Sequence, residues 1–148
     1  MVVSVVRDAA VSVDAEVAYR IIDLDSHFVE PESMWPRYLP ERYREVAARL
    51  AMPVRWCAGP EEAMEGAVRF ENLYDLACWL ASARVYIGND SGITHLAAAV
   101  GTPVVAIFGP TDPAVWAPRG ERVAVLGGGS LDAVSVDEVI EAMRRGLF

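Results

Sequence analysis

Residues 84–113 read RVYIGNDSGITHLAAAVGTPVVAIFGPTDP, in which two apolar runs flank a segment of helical periodicity. The first run, Val85–Ile87, ends at a polar turn. After the turn, apolar residues recur at i, i+3, i+4 and i+7, namely Ile93, Leu96, Ala97 and Val100. Gly101 stands where this helix should stop, and Val104–Phe108 is the second apolar run. The pattern predicts strand, tight turn, helix and strand, with both strands buried on two faces.

The turn between the first strand and the helix is a candidate binding site. Asp90 or Ser91 is expected to cap the helix, so that the free N–H groups of Ser91, Gly92 and Ile93 point outward from the strand end. A helix N-terminus in this position attracts phosphate, and His95 lies one helical turn further on, close enough to reach a ligand held there. The residues alone leave open the alternative that Asp90 is only a cap and His95 only a partly buried polar residue.

Composition excludes several classes of function. The 148 residues are 53% hydrophobic and carry a net charge of −8, which argues against binding to nucleic acid through a basic face. No apolar run approaches the roughly 18 residues of a membrane span, and the N-terminus lacks the pattern of a signal peptide. We therefore expect a cytoplasmic protein in which Cys57 and Cys78 are buried, reduced thiols.

Strands and helices alternate along the rest of the chain. Further strands are predicted at 20–24, 53–57 and 122–126, and further helices from 41, at 71–82 and from 136. The 71–82 helix is expected to bury Leu73, Leu76, Ala77 and Leu80, with Trp79 as a packing residue, and the final helix opens with the capping box Ser135–Glu138. Residues 113–120 are predicted to be a loop and 127–129 a flexible turn.

This alternation predicts an α/β fold, a Rossmann-like three-layer sandwich with a mostly parallel sheet. Ligands of such sheets bind beyond the carboxyl ends of the strands. The topology is therefore expected to bring three segments together at that edge: 59–62, 88–95 and 109–112.

Two motifs resemble those of glycosyltransferase family 9, the heptosyltransferase-like enzymes of lipopolysaccharide assembly. They are D-S-G-I-T-H at residues 90–95 and F-G-P-T-D-P at residues 108–113, and moderately similar sequence runs from about Pro53 to the C-terminus. The resemblance implies the C-terminal half of a GT-B fold that binds a nucleoside diphosphate sugar and needs neither a metal nor another cofactor.

The same resemblance implies the roles of individual residues. Ser91 and Gly92 would meet the diphosphate, Asp90 the sugar hydroxyls, and His95 the phosphate or sugar. Glu61 or Glu62 would lie near the ribose, the segment 70–72 near the base, and Thr111 with Asp112 at the sugar end. The expected donor-binding set is Asn89, Asp90, Ser91, Gly92, His95, Gly109, Thr111, Asp112, Glu61, Glu62 and Asn72. The catalytic base would come from an acceptor domain that this sequence does not contain, so no catalytic residue is assigned.

Residues 21–44 also resemble another family, the opening strand and loop of the amidohydrolase-related decarboxylases. Asp25, His27 and Glu30 match positions that supply or support metal ligands in those (β/α)8 barrels. A barrel needs about 250 residues, so we expect no working metal site in 148. The segment also departs from family 9, in which a Gly/Ser-rich loop with a basic residue faces the diphosphate. The segment can nevertheless be aligned with the opening of a family 9 donor domain, in which Trp35-Pro36 and the helix from 41 occupy matching places. The N-terminal segment is therefore expected to be either native to the domain or recombined.

We expect one domain, 1–148, in which 1–52 is atypical and 53–148 is the donor-binding part. The favoured function is a nucleotide-sugar donor-binding domain that is inactive without an acceptor domain. One alternative is a folded, non-catalytic or recombined domain without a tight ligand, and another is a fragment of a metal-dependent amidohydrolase or decarboxylase. An exposed sheet edge would also allow a homodimer.

Overall fold

A parallel β-sheet forms the centre of the structure. The computed structural model describes residues 20–22, 44–46, 48–49, 53–57 and 66–146. Within these ranges the sheet has five strands: β1 Arg20–Ile22, β2 Val54–Trp56, β3 Tyr86–Asn89, β4 Val104–Phe108 and β5 Val123–Gly127. All neighbouring strands among these five pair in parallel, which confirms the predicted α/β fold with a mostly parallel sheet.

Helices connect the strands and cover the sheet. The helices are α1 Leu73–Ala81, α2 Gly92–Ala99, α3 Pro113–Trp116 and α4 Val136–Gly146, with a 3₁₀ turn at Leu131–Ala133. Residues 44–46 and 48–49 are also helical. No helix among the described residues is long and apolar enough to cross a membrane.

The order of the strands, β2-β1-β3-β4-β5, places β1 inside the sheet, between β2 and β3. Ile21 lies opposite Arg55 of β2 on one side and opposite Tyr86 of β3 on the other. In chain order, β2 is added on one side of β1, and β3, β4 and β5 are then added in sequence on its other side. The order therefore reverses between β1 and β3, and such a switch point opens a crevice at the carboxyl ends of the two strands.

Two neighbouring strands, β3 and β4, form the centre of the core. Every residue of β3 and β4 is buried, although successive side chains of a strand point to opposite faces of the sheet. Helix α2 contacts β3 and β4, whereas α4 contacts β4 and β5. These helices cover the two faces of the sheet, so the three-layer arrangement agrees with the apolar runs in the sequence.

Helix α1 confirms part of the predicted core and corrects the rest. Leu76 and Leu80 are buried, and Trp79 is a packing residue, 7% exposed, with its ring centroid 4.8 Å from that of Phe70. Leu73, however, is 67% exposed, because it stands in the first turn, beyond the face that the described neighbours cover.

Of the two cysteines predicted to be buried, one is buried and the other is exposed. Cys57 is buried, but Cys78 is exposed, since it lies two residues from both Leu76 and Leu80 and therefore points away from the buried face of α1. Its neighbour one turn earlier is Tyr74, whose pKa is raised above its ordinary value mainly by a hydrogen bond with Cys78.

Two segments expected to be irregular have defined structure. Residues 113–116 form α3, because Asp112 accepts a hydrogen bond from the backbone N–H of Ala114 at 2.9 Å and proline occupies the first helical position. The predicted flexible turn at 127–129 is fixed in place. A Cβ on Gly127, whose φ is +88°, would lie 2.2 Å from the carbonyl oxygen of Phe108, so only glycine fits there.

The final helix begins as the capping box predicts. The backbone N–H of Ser135 donates to the carboxylate of Glu138 at 2.8 Å, and the N–H of Glu138 donates to the Ser135 hydroxyl at 3.3 Å. The Ser135 hydroxyl also donates to the Glu138 carboxylate, at 2.7 Å, and the backbone and hydroxyl bonds from Ser135 to this carboxylate lower the pKa of Glu138 below its ordinary value. Val139, Ile140 and Met143 are buried as expected.

Candidate functional site

The turn after β3 joins the strand directly to α2. Ser91 is the N-cap, with extended backbone angles of φ −150° and ψ 162°, and its Oγ accepts a hydrogen bond from the N–H of Thr94 at 3.4 Å. The N–H of Asp90 donates to the carbonyl oxygen of Ile107 in β4 at 3.2 Å. The helix N-terminus is therefore held at the carboxyl end of two neighbouring central strands.

This turn lies beside the switch point of the sheet. β1 pairs with β3 through Ile22, which stands opposite Ile87, two residues before β3 ends. The first turn of α2 thus opens toward the crevice between the ends of β1 and β3, where ligands of doubly wound sheets bind. The sequence predicted a site at this edge, and the topology places residues 88–95 there.

Gly92, the first residue of α2, leaves the approach to the helix N-terminus open. It is exposed, its φ lies outside the left-handed region, and a Cβ at this position would meet no atom of the described residues within 4 Å. Neither the backbone conformation nor packing among the described residues requires glycine here. Without a side chain at Gly92, the first turn of α2 carries no Cβ at its exposed N-terminal position.

Two ionisable side chains flank this opening. Asp90 is half-buried and does not cap α2, because the side chain of Ser91 does so. The interpretation of Asp90 as only a cap is therefore wrong. His95 is exposed and its backbone N–H donates to the carbonyl of Ser91 at 3.4 Å, one helical turn earlier. Since helical side chains lean toward the N-terminus, His95 lies on the Ser91 side of the helix.

Beneath the turn is a cluster of buried hydroxyl groups that the sequence did not reveal. The Thr94 side chain is fully buried, with its Oγ1 2.9 Å from the hydroxyl oxygen of Tyr86 and 3.2 Å from Oγ of Ser91. The Thr94 hydroxyl also donates to the backbone carbonyl of Asn89, the last residue of β3. The only sequence signal was the presence of hydroxyl side chains in two otherwise apolar elements.

The segment after β4 lies at the same edge of the sheet. Gly109 is buried, and a Cβ there would come within 3.2 Å of Cγ of Leu131 in the 3₁₀ turn. Thr111 is half-buried and Asp112 exposed, the latter capping α3. Because β3 and β4 are parallel neighbours, this segment and the turn at Asp90 share one edge, as the sequence predicted.

The remaining predicted residues are only partly described. Asn72 caps α1: its Oδ1 accepts from the N–H of Asp75 at 2.9 Å, and its Nδ2 donates to the Asp75 carboxylate at 2.7 Å. Five further predicted residues lie outside the described ranges, namely Glu61, Glu62, Asp25, His27 and Glu30. Across the ranges that the structure covers, no three His, Cys, Asp or Glu side chains are grouped so as to hold a metal ion.

Comparison with known sequences identifies relatives of the part of the chain that carries this edge. The family model described as glycosyltransferase family 9 (heptosyltransferase) matches residues 66–138. Lipopolysaccharide heptosyltransferase 1 of Pseudomonas aeruginosa is 35% identical over 105 residues, which are 66% of this chain and 29% of that protein. Lipooligosaccharide heptosyltransferase 2 of Haemophilus influenzae is 34% identical over 70 residues, 45% of this chain and 20% of that protein.

Solved structures share the fold. The E. coli heptosyltransferase WaaC with ADP aligns with a TM-score of 0.66 at 23% identity, over 93% of this chain and 46% of that one. A family 9 glycosyltransferase from Veillonella parvula aligns with a TM-score of 0.70 at 23% identity, over 92% of this chain and 47% of that one. The chain thus spans about half the length of these structures and less than a third of the two curated relatives. Residues 66–138 of this chain are therefore a glycosyltransferase family 9 (heptosyltransferase) domain.

Proposed function

We propose that this chain is the nucleotide-sugar donor-binding domain of a family 9 glycosyltransferase, and that it binds the diphosphate at the N-terminus of α2. The observation that carries the proposal is the open position of Gly92 at the switch point of the sheet. The backbone N–H groups of a first helical turn carry partial positive charge and suit an anion. A glycine that nothing within the described protein requires is expected where a ligand must approach the backbone closely.

The polar residues around the opening take complementary roles in this proposal. The N–H groups of Gly92 and Ile93 donate to the diphosphate, while the Ser91 side chain keeps the helix end in place. Asp90 accepts hydrogen bonds from sugar hydroxyls. His95, which is exposed one turn from the cap, donates to the phosphate or the sugar.

The neighbouring segments complete the donor site. Thr111 and Asp112 lie at the sugar end, where Asp112 can use the carboxylate oxygen that is not engaged with the cap of α3. Asn72, which is exposed, is proposed to border the base, and Glu61 or Glu62 is proposed to meet the ribose. Asn89 and Gly109 shape the two strand ends rather than offering a charged group.

The chemistry of the donor is proposed from the relatives. E. coli WaaC is solved with ADP and with ADP-2-deoxy-2-fluoro heptose, and the curated relatives are named as heptosyltransferases of lipopolysaccharide or lipooligosaccharide. We accordingly propose an ADP-linked heptose as donor and a role in lipopolysaccharide assembly. A family 9 enzyme of this kind would need no metal to bind the donor.

Transfer of the sugar requires a second component. A general base must stand within about 3 Å of the acceptor hydroxyl, and the cleft must exclude water. The carboxylates of Asp90 and Asp112 are proposed to orient the donor, which leaves no assigned base. Because the chain spans about half of its solved relatives, we propose that residues 1–148 form one domain and that an acceptor domain supplies the base.

The proposal is tested by calorimetric titration of the 148-residue chain with ADP, AMP and adenosine, each in the presence of EDTA. If the helix N-terminus binds the diphosphate, ADP binds at least about tenfold more tightly than AMP, since the second phosphate adds charge-assisted hydrogen bonds. Adenosine should bind more weakly still. Equal affinities for ADP and adenosine would show that the phosphates do not contact the protein and would refute the proposal.

A further inference from the structure

In the buried hydroxyl cluster under the turn, one atom, Thr94 Oγ1, contacts three other residues. Thr94 Oγ1 contacts the hydroxyl of Tyr86 inside β3, the carbonyl of Asn89 at the end of β3, and the hydroxyl of Ser91 at the start of α2. Tyr86 and Thr94 are each 0% exposed, and Asn89 and Ser91 only 3% and 5%. The cluster thus lies within the core, directly behind the helix N-terminus.

The direction of each bond follows from counting protons. A carbonyl oxygen can only accept, so the single Thr94 proton is directed to Asn89. At the two remaining contacts Thr94 Oγ1 must therefore accept, with Tyr86 donating at 2.9 Å and Ser91 donating at 3.2 Å. A hydroxyl oxygen has two lone pairs, and both are used. The shorter contact makes Tyr86 the stronger of the two donors to Thr94.

These bonds fix the first turn of α2 relative to the sheet. Thr94 is the third residue of the helix, and its backbone N–H is bonded to Ser91 while its side chain is bonded to the strand. A movement of the helix end would break several of these bonds together. Because the groups are buried, leaving them without hydrogen-bond partners would raise the free energy of the folded protein. The outward N–H groups of Gly92 and Ile93 are consequently held in one orientation before any ligand arrives.

We propose that Tyr86 and Thr94 are positioning residues for the diphosphate: their buried hydroxyls orient the first-turn N–H groups of α2 without touching the ligand. This inference rests on the proposed function and deepens it. An anion site that is already ordered loses less free energy on binding than one that must be ordered by its ligand. Removing one of these hydroxyls should therefore weaken nucleotide binding, although the residue does not contact the nucleotide.

The test compares two substitutions at one position. Thr94→Val keeps the shape of the side chain and removes the hydroxyl, whereas Thr94→Ser keeps the hydroxyl and removes the methyl group. The Kd for ADP is measured by calorimetry at a temperature well below the melting point of each variant. We expect Thr94→Val to bind ADP about fivefold more weakly, the equivalent of one net hydrogen bond, and Thr94→Ser to bind within about twofold of the unchanged protein.

Tyr86→Phe gives a second, independent measurement, because the ring that fills the core is retained. It should also weaken ADP binding about fivefold, and it should speed the hydrogen exchange of the Gly92 and Ile93 amides in the folded protein. Tyr86→Phe tests the positioning role even if Thr94→Val does not fold, because it removes the Tyr86–Thr94 hydrogen bond by deleting the Tyr86 hydroxyl.

The results separate this inference from the function on which it rests. If the unchanged chain does not bind ADP, the proposed function itself fails. If the unchanged chain binds ADP and both hydroxyl-deleted variants bind it equally well, with only their melting temperatures lowered, the hydroxyls are structural and the positioning role is refuted. Equal loss of affinity in Thr94→Ser and Thr94→Val would also refute it, because the hydroxyl would then not be the group that matters.

Discussion

Helix α2 has a glycine at each end, and replacing each by alanine should separate ligand binding from folding. At either Gly92 or Gly101, a Cβ would meet no atom within 4 Å in the part of the chain that the structure describes. The backbone distinguishes the two positions, because Gly101 has a φ of +82° whereas Gly92 lies outside the left-handed region. They are separated by about 13 Å along the helix axis.

The effects on stability follow from these angles. Gly92→Ala adds a better helix former without strain, so we expect the free energy of unfolding to change by less than about 1 kcal/mol. Gly101→Ala forces an L-residue into the left-handed region at a cost of about 1–2 kcal/mol. For a chain of this size, such a loss lowers the Tm by about 2–8 °C.

The variant that changes stability least, Gly92→Ala, should weaken ADP binding most. A methyl group on Gly92 occupies the path of a phosphate toward the first-turn N–H groups, and losing one charge-assisted hydrogen bond costs about 1.5–3 kcal/mol. Gly92→Ala should therefore weaken ADP binding roughly 10- to 100-fold, and the bulkier Gly92→Val at least as much. Gly101→Ala should leave the Kd unchanged, because it lies at the far end of the helix.

Calorimetry for ADP binding and thermal denaturation for stability, measured on the same preparations, check both halves of this expectation. The reasoning is refuted if Gly92→Val binds ADP as tightly as the unchanged chain. It is equally refuted if Gly101→Ala loses as much affinity as Gly92→Ala, since the ligand would then be sensitive to the stability of the helix and not to its open end.

Three further outcomes are expected. Gly127→Ala should destabilise the fold by at least about 2 kcal/mol, because its φ is +88° and its Cβ would collide with the carbonyl of Phe108, whereas Gly129→Ala, with no atom within 4 Å, should leave the Tm nearly unchanged. The pKa of Glu138 is lowered in the folded state, so its contribution to stability is present above the unfolded pKa and is lost as the pH falls through the folded pKa. Glu138→Gln should therefore flatten the acid side of the Tm–pH profile. An unchanged profile would contradict this. Incubation of the chain alone with ADP-heptose and acceptor lipid should give no glycoside by mass spectrometry, and product that disappears in Asp90→Ala would show that this domain is a complete enzyme.

Short-range rules explain the parts of the fold that the sequence predicted correctly. The final helix begins where Ser135 and Glu138 satisfy each other's backbone groups, and this needs only residues three apart. The order strand, turn, helix and strand around Gly92 follows from apolar periodicity and a glycine stop. The capping residue could not be chosen between Asp90 and Ser91, since both side chains are short acceptors and the difference lies in the backbone angles.

The incorrect predictions concern properties that depend on distant neighbours. Leu73 has the spacing of a core residue, yet burial requires another element above it, and none of the described elements extends that far. Trp116 lies in a short helix and not in the predicted loop, because Asp112 caps this helix and Pro113 occupies its first position.

Long-range contacts also explain what the sequence analysis missed at the site. Tyr86 lies in an apolar strand and Thr94 in an apolar helix, eight residues apart, so their hydrogen bond exists only once strand and helix pack together. Likewise, the strand at Arg20–Ile22 was predicted, but its place between β2 and β3 depends on pairing with segments more than 30 residues away. The switch point that locates the candidate site follows from that pairing and not from any local motif.

The central claim is that a nucleoside diphosphate binds at the N-terminus of α2, and an NMR titration of the ¹⁵N-labelled chain with ADP tests it most directly. The account predicts saturable shifts that are largest for the backbone amides of Ser91, Gly92 and Ile93, with smaller shifts at Thr111 and Asp112. Shifts that saturate at another surface would contradict the account, as would the absence of any saturable shift at millimolar ADP.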